Sequence, residues 1–231
     1  MRRLGPVCTL VLLLAAGPVA ADTVIAGGNL PGAANTWTMA GSPYLLMGDT
    51  TVPAGATLTI DPGVEVRAAA STDGQSSGLN TTRIELTIDG TLHVNGTTAK
   101  PVTFKSSSPS AGTWYGVVVT GTATDIQLAH LDVQSAIYGI TSQAAGTELH
   151  TSYVAVSSSS SYGVWLRAGS PTLDTLSAIS SGNYGIAITD SASPTLTNCV
   201  VRNSGSMGVY VTHNTAGHSA TLTNCTLNAN G

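Results

Sequence analysis

Five short segments of this chain share one pattern at a nearly fixed interval, and that periodicity restricts the fold more than any other feature. The segments begin at Tyr115-Gly116, Tyr138-Gly139, Tyr162-Gly163, Tyr184-Gly185 and Met207-Gly208, so their glycines lie 23, 24, 22 and 23 residues apart. Four are followed by an apolar pair one residue apart: Val117/Val119, Val164/Leu166, Ile186/Ile188 and Val209/Val211. The other keeps Ile140 and has Ser142 in the second slot. A repeat of this length marks a solenoid, whose turns cannot bury an inner face alone and do so by stacking on their neighbours. Period-two alternation turns the apolar pairs inward and Val118, Trp165, Ala187 and Tyr210 outward.

Composition supports strands. Charged residues make up only 9% of the chain, Phe104 is the single phenylalanine, and Gly, Ser and Thr abound. Small and β-branched residues suit short stacked strands and tight corners. No helical periodicity is evident after residue 21. The expected fold is all-β, a parallel solenoid of about seven coils. The formal net charge is −4, and loss of Arg2 and Arg3 with a leader leaves six Lys+Arg against twelve Asp+Glu, or −6. A weakly acidic chain with no basic cluster argues against a nucleic-acid partner.

Residues 1–21 read as a signal peptide, with Arg2 and Arg3, the apolar run Val7 to Ala16 and a small-residue cleavage site at Val19-Ala20-Ala21. The run is too short to span a bilayer, and no other stretch is a transmembrane candidate. The expected destination is outside the cytoplasm: extracellular space, cell surface or periplasm. Residues 22–43 read as an irregular lead-in that covers the first coil, and 44–231 as the solenoid. Leu58-Thr59-Ile60-Asp61 recurs 28 residues later as Leu86-Thr87-Ile88-Asp89. Between them, 69–82 reads as a polar surface insertion.

The matched stretches Thr195-Leu196-Thr197-Asn198-Cys199 and Thr221-Leu222-Thr223-Asn224-Cys225 place like residues on successive coils. Asn198 and Asn224 are expected to stack at a corner. Cys199 and Cys225, at a strand spacing of about 4.8 Å, form either a disulfide or a file of buried thiols.

The short strands, glycine corners, Asn-Cys stacks and 22–24-residue period resemble the right-handed parallel β-helix proteins of the pectin-lyase-like superfamily. Val52-Pro53-Ala54-Gly55-Ala56-Thr57-Leu58-Thr59-Ile60-Asp61-Pro62-Gly63-Val64-Glu65-Val66 and Gly112-Thr113-Trp114-Tyr115-Gly116-Val117 are similar to stretches of exported bacterial β-helix proteins. The resemblance covers residues 44–231 and implies a right-handed coil. It also implies a choice of activities, since the scaffold carries lyases, hydrolases and epimerases as well as adhesins and stalks. Lyases of the superfamily use calcium-holding carboxylates with a basic residue, and its hydrolases use close-set aspartates.

For chemistry of that kind, His130 and Asp132 are the catalytic candidates, on one side of a strand around Leu131. The outward slots align them with Tyr153 and Ala155, then with Ser177 and Ile179. No slot is seen to stack two carboxylates. His213 and His218 lack a third ligand for a metal. No metal or cofactor is expected. The stronger candidate is a binding face. Trp165 and Tyr210 are expected to stand about 10 Å apart with a dip at Ala187, beside a polar file containing Arg167, Thr189 and Thr212. Such a face suits an extracellular polysaccharide. The leading reading is a non-enzymatic exported scaffold. A polysaccharide lyase, hydrolase or epimerase and a structural stalk or adhesion repeat are the alternatives. By the ladder's period the next glycine slot falls near Gly231, with Asn228-Ala229-Asn230-Gly231 matching the corner before a new coil, so the C-terminal coil is expected to be open and to support end-to-end self-association.

Overall fold

The structure, a computed structural model, describes residues 22–146, 148–214 and 216–231. The expected leader, with Cys8, lies outside the described residues. Strand pairing between named strands is parallel throughout. One eight-stranded sheet contains Gly28–Asn29, Thr50–Val52, Glu85–Ile88, Gly116–Val119, Ile140–Ser142, Val164–Leu166, Ile186–Ile188 and Val209–Val211. The other fifteen strands form a second sheet with two arms, joined where Leu149–Ser157 and Thr172–Ile179 bend around a corner. Each coil therefore has three strands, and the molecule is a right-handed parallel β-helix. The only helical turn among the described residues is the 3-10 segment Met39–Gly41, and no described helix is long and apolar enough to cross a membrane.

Residues 22–43 differ from the irregular lead-in expected. Thr23–Ile25, Gly28–Asn29 and Ala34–Trp37 pair in register with Tyr44–Leu46, Thr50–Val52 and Thr57–Ile60, so they form a first coil of their own. With it, eight three-stranded coils precede the last strand, Thr226–Asn228.

One continuous core runs along the axis. Val117, Val119, Val164, Leu166, Ile186 and Ile188 are buried, as period-two alternation requires. Val209 is only partly buried and Val211 is 46% exposed, because among the described residues Val209–Val211 is the edge strand of its sheet and pairs on one side, with Ile186–Ile188. Leu222 and Leu227 of the same terminal rungs are also exposed.

The corners explain residues that break strand character. His130, Tyr153, Thr175, Asn198 and Asn224 all have φ between 46° and 56°, a left-handed conformation that lets the chain turn between two arms of the second sheet. Such residues stack from coil to coil. The His130 and Tyr153 rings lie parallel at 4.8 Å. Asn224 donates to Asn198 Oδ1 at 3.5 Å, and Asn198 to Asp174 Oδ1 at 3.1 Å. The expected asparagine stack is present and belongs to this longer file.

Candidate functional site

The outer surface of the eight-stranded sheet carries the densest chemistry. Register places Thr87, Val118, Thr141, Trp165, Ala187 and Tyr210 in one outward file. Over it lies a row of aromatic rings, four from the tyrosines that precede ladder glycines, Tyr115, Tyr138, Tyr162 and Tyr184, and a fifth from Tyr210 of the file itself. Centroids are 5.3 Å apart for Tyr115–Tyr138 and for Tyr138–Tyr162, 5.0 Å for Tyr162–Tyr184 and 4.5 Å for Tyr184–Tyr210. Trp165 joins the row, 5.2 Å from Tyr138 and 5.5 Å from Tyr162.

This row corrects the isolated pair expected at Trp165 and Tyr210. The dip at Ala187 does not exist: Ala187 is fully buried, and Tyr184 stacks on both Tyr162 and Tyr210. Val118 also points outward and is buried. Parity was the right guide to direction, but the preceding tyrosines cover the small outward residues.

Beside the aromatics runs the polar file. Trp165 Nε1 donates to Thr189 Oγ1 at 3.0 Å, and the Arg167 guanidinium lies 4.8 Å above the Trp165 ring. Arg167 also pairs with Asp190 at 3.0 Å, whose other oxygen accepts from Asn214 at 2.7 Å. Thr189 is half-buried and Thr212 is exposed. Arg167, Thr189, Trp165 and Tyr210 are thus assembled on one face, with Thr212 at its end.

At the other end of this sheet the structure reveals a group that sequence reasoning missed. Asp49 and Glu85 occupy adjacent rungs in the slot that holds Gly116 one coil later. Two carboxylates are therefore stacked, contrary to the expectation that no slot does so. The segment 69–82 folds over them as a strap and brings a third, Asp73. Exposures are 5% for Asp49, 8% for Asp73 and 1% for Glu85. Asp49 accepts from the Glu85 amide at 2.8 Å and from the Ser77 hydroxyl at 2.8 Å. Asp73 accepts from the amides of Asp49, Gln75 and Ser77, at 3.1, 2.9 and 3.0 Å. Glu85 accepts from the Asn80 amide at 2.7 Å.

Burial, then the charge of Asp49, pushes the Glu85 carboxyl up to about 7. Asp49 is raised as well, chiefly by burial. A pocket of about 160 Å³ opens beside Glu85, between Gly78 and Leu79 of the strap and Thr87, Val118, Thr120 and Gln143 of the sheet. Thr120 and Gln143 continue the polar file that contains Arg167. The sequence signal was a register error. Leu86–Ile88 pairs with Thr50–Val52 in the eight-stranded sheet, whereas Leu58 and Ile60 pair with Leu92 and Val94 in the other sheet. Matching Asp49-Thr50-Thr51-Val52 to Glu85-Leu86-Thr87-Ile88 would have stacked the two acids.

The expected catalytic pair is not assembled. His130 is a corner residue stacked on Tyr153, and among the described ion pairs none joins it to Asp132. Asp132 is half-buried and its carboxyl is raised by burial alone. The file alignment also shifts: Asp132 stacks on Ala155 and then Ser177, while Ile179 belongs with Ser157 and Arg202. The left-handed corner residue displaces the expected alternation. His213 binds the Ala192 carbonyl at 2.9 Å and His218 the Ser193 hydroxyl at 3.2 Å. Among the described residues no His, Cys, Asp and Glu group of three or more is arranged to hold a metal. Cys199 and Cys225 stack as free thiols, and burial pushes Cys199 up to about 11. His93 and Asp125, not singled out in the sequence, pair at 2.8 Å on the second sheet.

Stacked parallel coils with one aromatic and polar outer face define a β-helix of the class that presents its chemistry on strand surfaces. The family described as "Pectate-lyase like beta helix domain" matches residues 33–162, more than half of the chain, and the protein belongs to that family. No curated protein and no solved structure matches it. The matched segment includes the three carboxylates and the first three tyrosines of the row.

Proposed function

We propose that this is an exported, non-enzymatic scaffold that holds an extended glycan of the extracellular space or cell envelope along the outer face of its eight-stranded sheet. The observation that carries the reading is the continuous ring row from Tyr115 to Tyr210, lying beside Thr120, Gln143, Arg167 and Thr189. Tyr162, Tyr184 and Tyr210 stack on one another and so offer edges and phenol groups, while Tyr115, Tyr138 and Tyr162 meet edge to face. Phenols, amide, hydroxyls and guanidinium at near-regular steps suit the repeated hydroxyls of a sugar chain.

Tyr184 stacks on both Tyr162 and Tyr210, so Tyr184→Ala is expected to break the row and weaken retention of a bound polysaccharide by about 1–3 kcal/mol. Affinity electrophoresis through gels cast with plant or bacterial polysaccharides measures this. Equal mobility shifts for wild type and variant in every gel, or no shift for the wild type, would remove the reading.

A second reading rests on the stacked acids. Glu85 holds a proton near neutral pH beside a pocket, and Asp49 stands on the next rung, so a polysaccharide-cleaving enzyme with Glu85 as proton donor is the alternative. On that reading, Glu85→Gln abolishes release of reducing ends or unsaturated products from a polysaccharide that the wild type degrades. Retained cleavage in the variant would reject Glu85 as the donor.

A further inference from the structure

Three carboxyl groups are buried together without a cation among them. The described ion pairs involve other acids: Glu65, Asp125 and Asp190. The nearest arginine in sequence, Arg83, is turned away, donating to the Gly112 carbonyl at 3.0 Å and the Thr82 carbonyl at 2.9 Å. The groups that face Glu85 are Asp49 from the neighbouring rung, Asp73 from the strap and the Tyr115 phenol from the next coil. All are neutral or negative.

The same carboxyl groups are the strap's anchors. Asp73 of the strap accepts from the Asp49 amide, the Ser77 hydroxyl donates to Asp49 and the Asn80 amide to Glu85, while the Gln75 and Ser77 amides on Asp73 brace the strap internally. Gly78, at φ +67°, lies so close that a Cβ there would meet Glu85 Oε2 at 2.6 Å and Asp49 Oδ2 at 2.8 Å. Away from the cluster, the strap's ties gather in its first half: the Ala69 amide on the Leu46 carbonyl at 2.9 Å, the Ala70 amide on Ser107 Oγ at 3.0 Å, the Ser71 amide on the Thr113 carbonyl at 2.7 Å, the Gly74 amide on the Met47 carbonyl at 3.0 Å and the Gln75 side-chain amide on the Ala26 carbonyl at 3.5 Å. Leu79, which walls the pocket, is itself largely exposed. Among the described hydrogen bonds, those that fasten the strap's second half, from Ser77 to Asn80, to the sheet thus run through acids that repel each other once all are ionised.

We propose that residues 69–82 are a proton-operated cover: the strap is closed while the Asp49–Asp73–Glu85 cluster retains a proton and loosens when that proton leaves, uncovering the Glu85 pocket and Val118 at the end of the ring row. Glu85 is the group that holds the proton, because it is the most buried of the three and faces two other acids. The direction follows from linkage. Its carboxyl is raised in the closed state from 4.5 to about 7, so the closed state binds the proton more tightly than an open one. Closure is fully favoured below the ordinary carboxyl range and is lost as pH rises through about 7. The device acts where an acidic compartment gives way to a neutral one, and it would extend the exposed face exactly where Thr120 and Gln143 lead into the Arg167 file.

Hydrogen exchange of the intact protein read by mass spectrometry tests this without any glycan, so its failure leaves the reading of the ring row untouched. Protection of peptides within 71–82, corrected for the intrinsic pH dependence of exchange, is expected to fall by about tenfold or more between about pH 5 and about pH 8. Peptides over Val164–Leu166 are expected to keep their protection. In Glu85→Gln, which preserves shape and a hydrogen-bond acceptor but cannot ionise, the strap's protection is expected to become flat with pH. Constant protection in the wild type overturns the proposal. So does a fall shared equally by the core strands, or an unchanged pH dependence in the glutamine variant. The wild-type comparison of strap with core decides the matter even where the variant folds poorly.

Discussion

Replacing Gly116 by alanine is expected to destabilise the protein by about 2–6 kcal/mol, the sum of overpacking and of backbone strain. Gly116 has φ +133°, a region side chains rarely adopt, and an added Cβ would run into the Tyr138 carbonyl of the next coil. Three other ladder glycines meet the same obstacle without the unusual φ: a Cβ on Gly139 would lie 2.6 Å from the Gly163 carbonyl, one on Gly163 2.6 Å from the Gly185 carbonyl, and one on Gly185 2.7 Å from the Gly208 carbonyl. The glycine period is therefore a record of backbone packing between coils. Urea denaturation followed by circular dichroism measures the change, and a midpoint within error of the wild type would show that the coils separate to admit a side chain.

The second large effect is expected at Trp114. Its ring is buried where the loop after Ser106 re-enters the coil, and its indole N–H donates to the Gln134 carbonyl at 2.7 Å. The residue also makes an isolated parallel bridge with Ala136 on the following coil. Trp114→Ala removes one of the largest fully buried side chains and is expected to cost about 3–5 kcal/mol. Trp114→Phe is expected to lose less, keeping most of the volume but leaving the carbonyl without its donor. A destabilisation by alanine no larger than by phenylalanine would mean that packing is not what Trp114 contributes.

Much of the fold was legible because solenoid stacking converts sequence period directly into contacts. Val117, Ile140, Val164 and Ile186 recur at one coil's length and fill one apolar file, and Asn198 and Asn224 stack as their matched surroundings suggest. The site was less legible for three physical reasons. Left-handed corner residues such as His130 and Thr175 interrupt alternation, so files inferred across them slip. Rings placed one residue before four of the five ladder glycines lie along the outward file, so outward Ala187 is buried and Trp165 is not alone. The 69–82 insertion lies on the surface as expected, apart from buried Asp73, but it separates Glu85 from the previous coil, which hid its stacking on Asp49.

The central claim is that a glycan lies along the ring row. Hydroxyl-radical footprinting with and without a retained polysaccharide tests it most directly. The account predicts protection at Tyr162, Trp165, Tyr184 and Tyr210, and none at Tyr153, which is 58% exposed at a corner of the second sheet. Unchanged oxidation along the row, or protection centred on Tyr153 and His130, would contradict it.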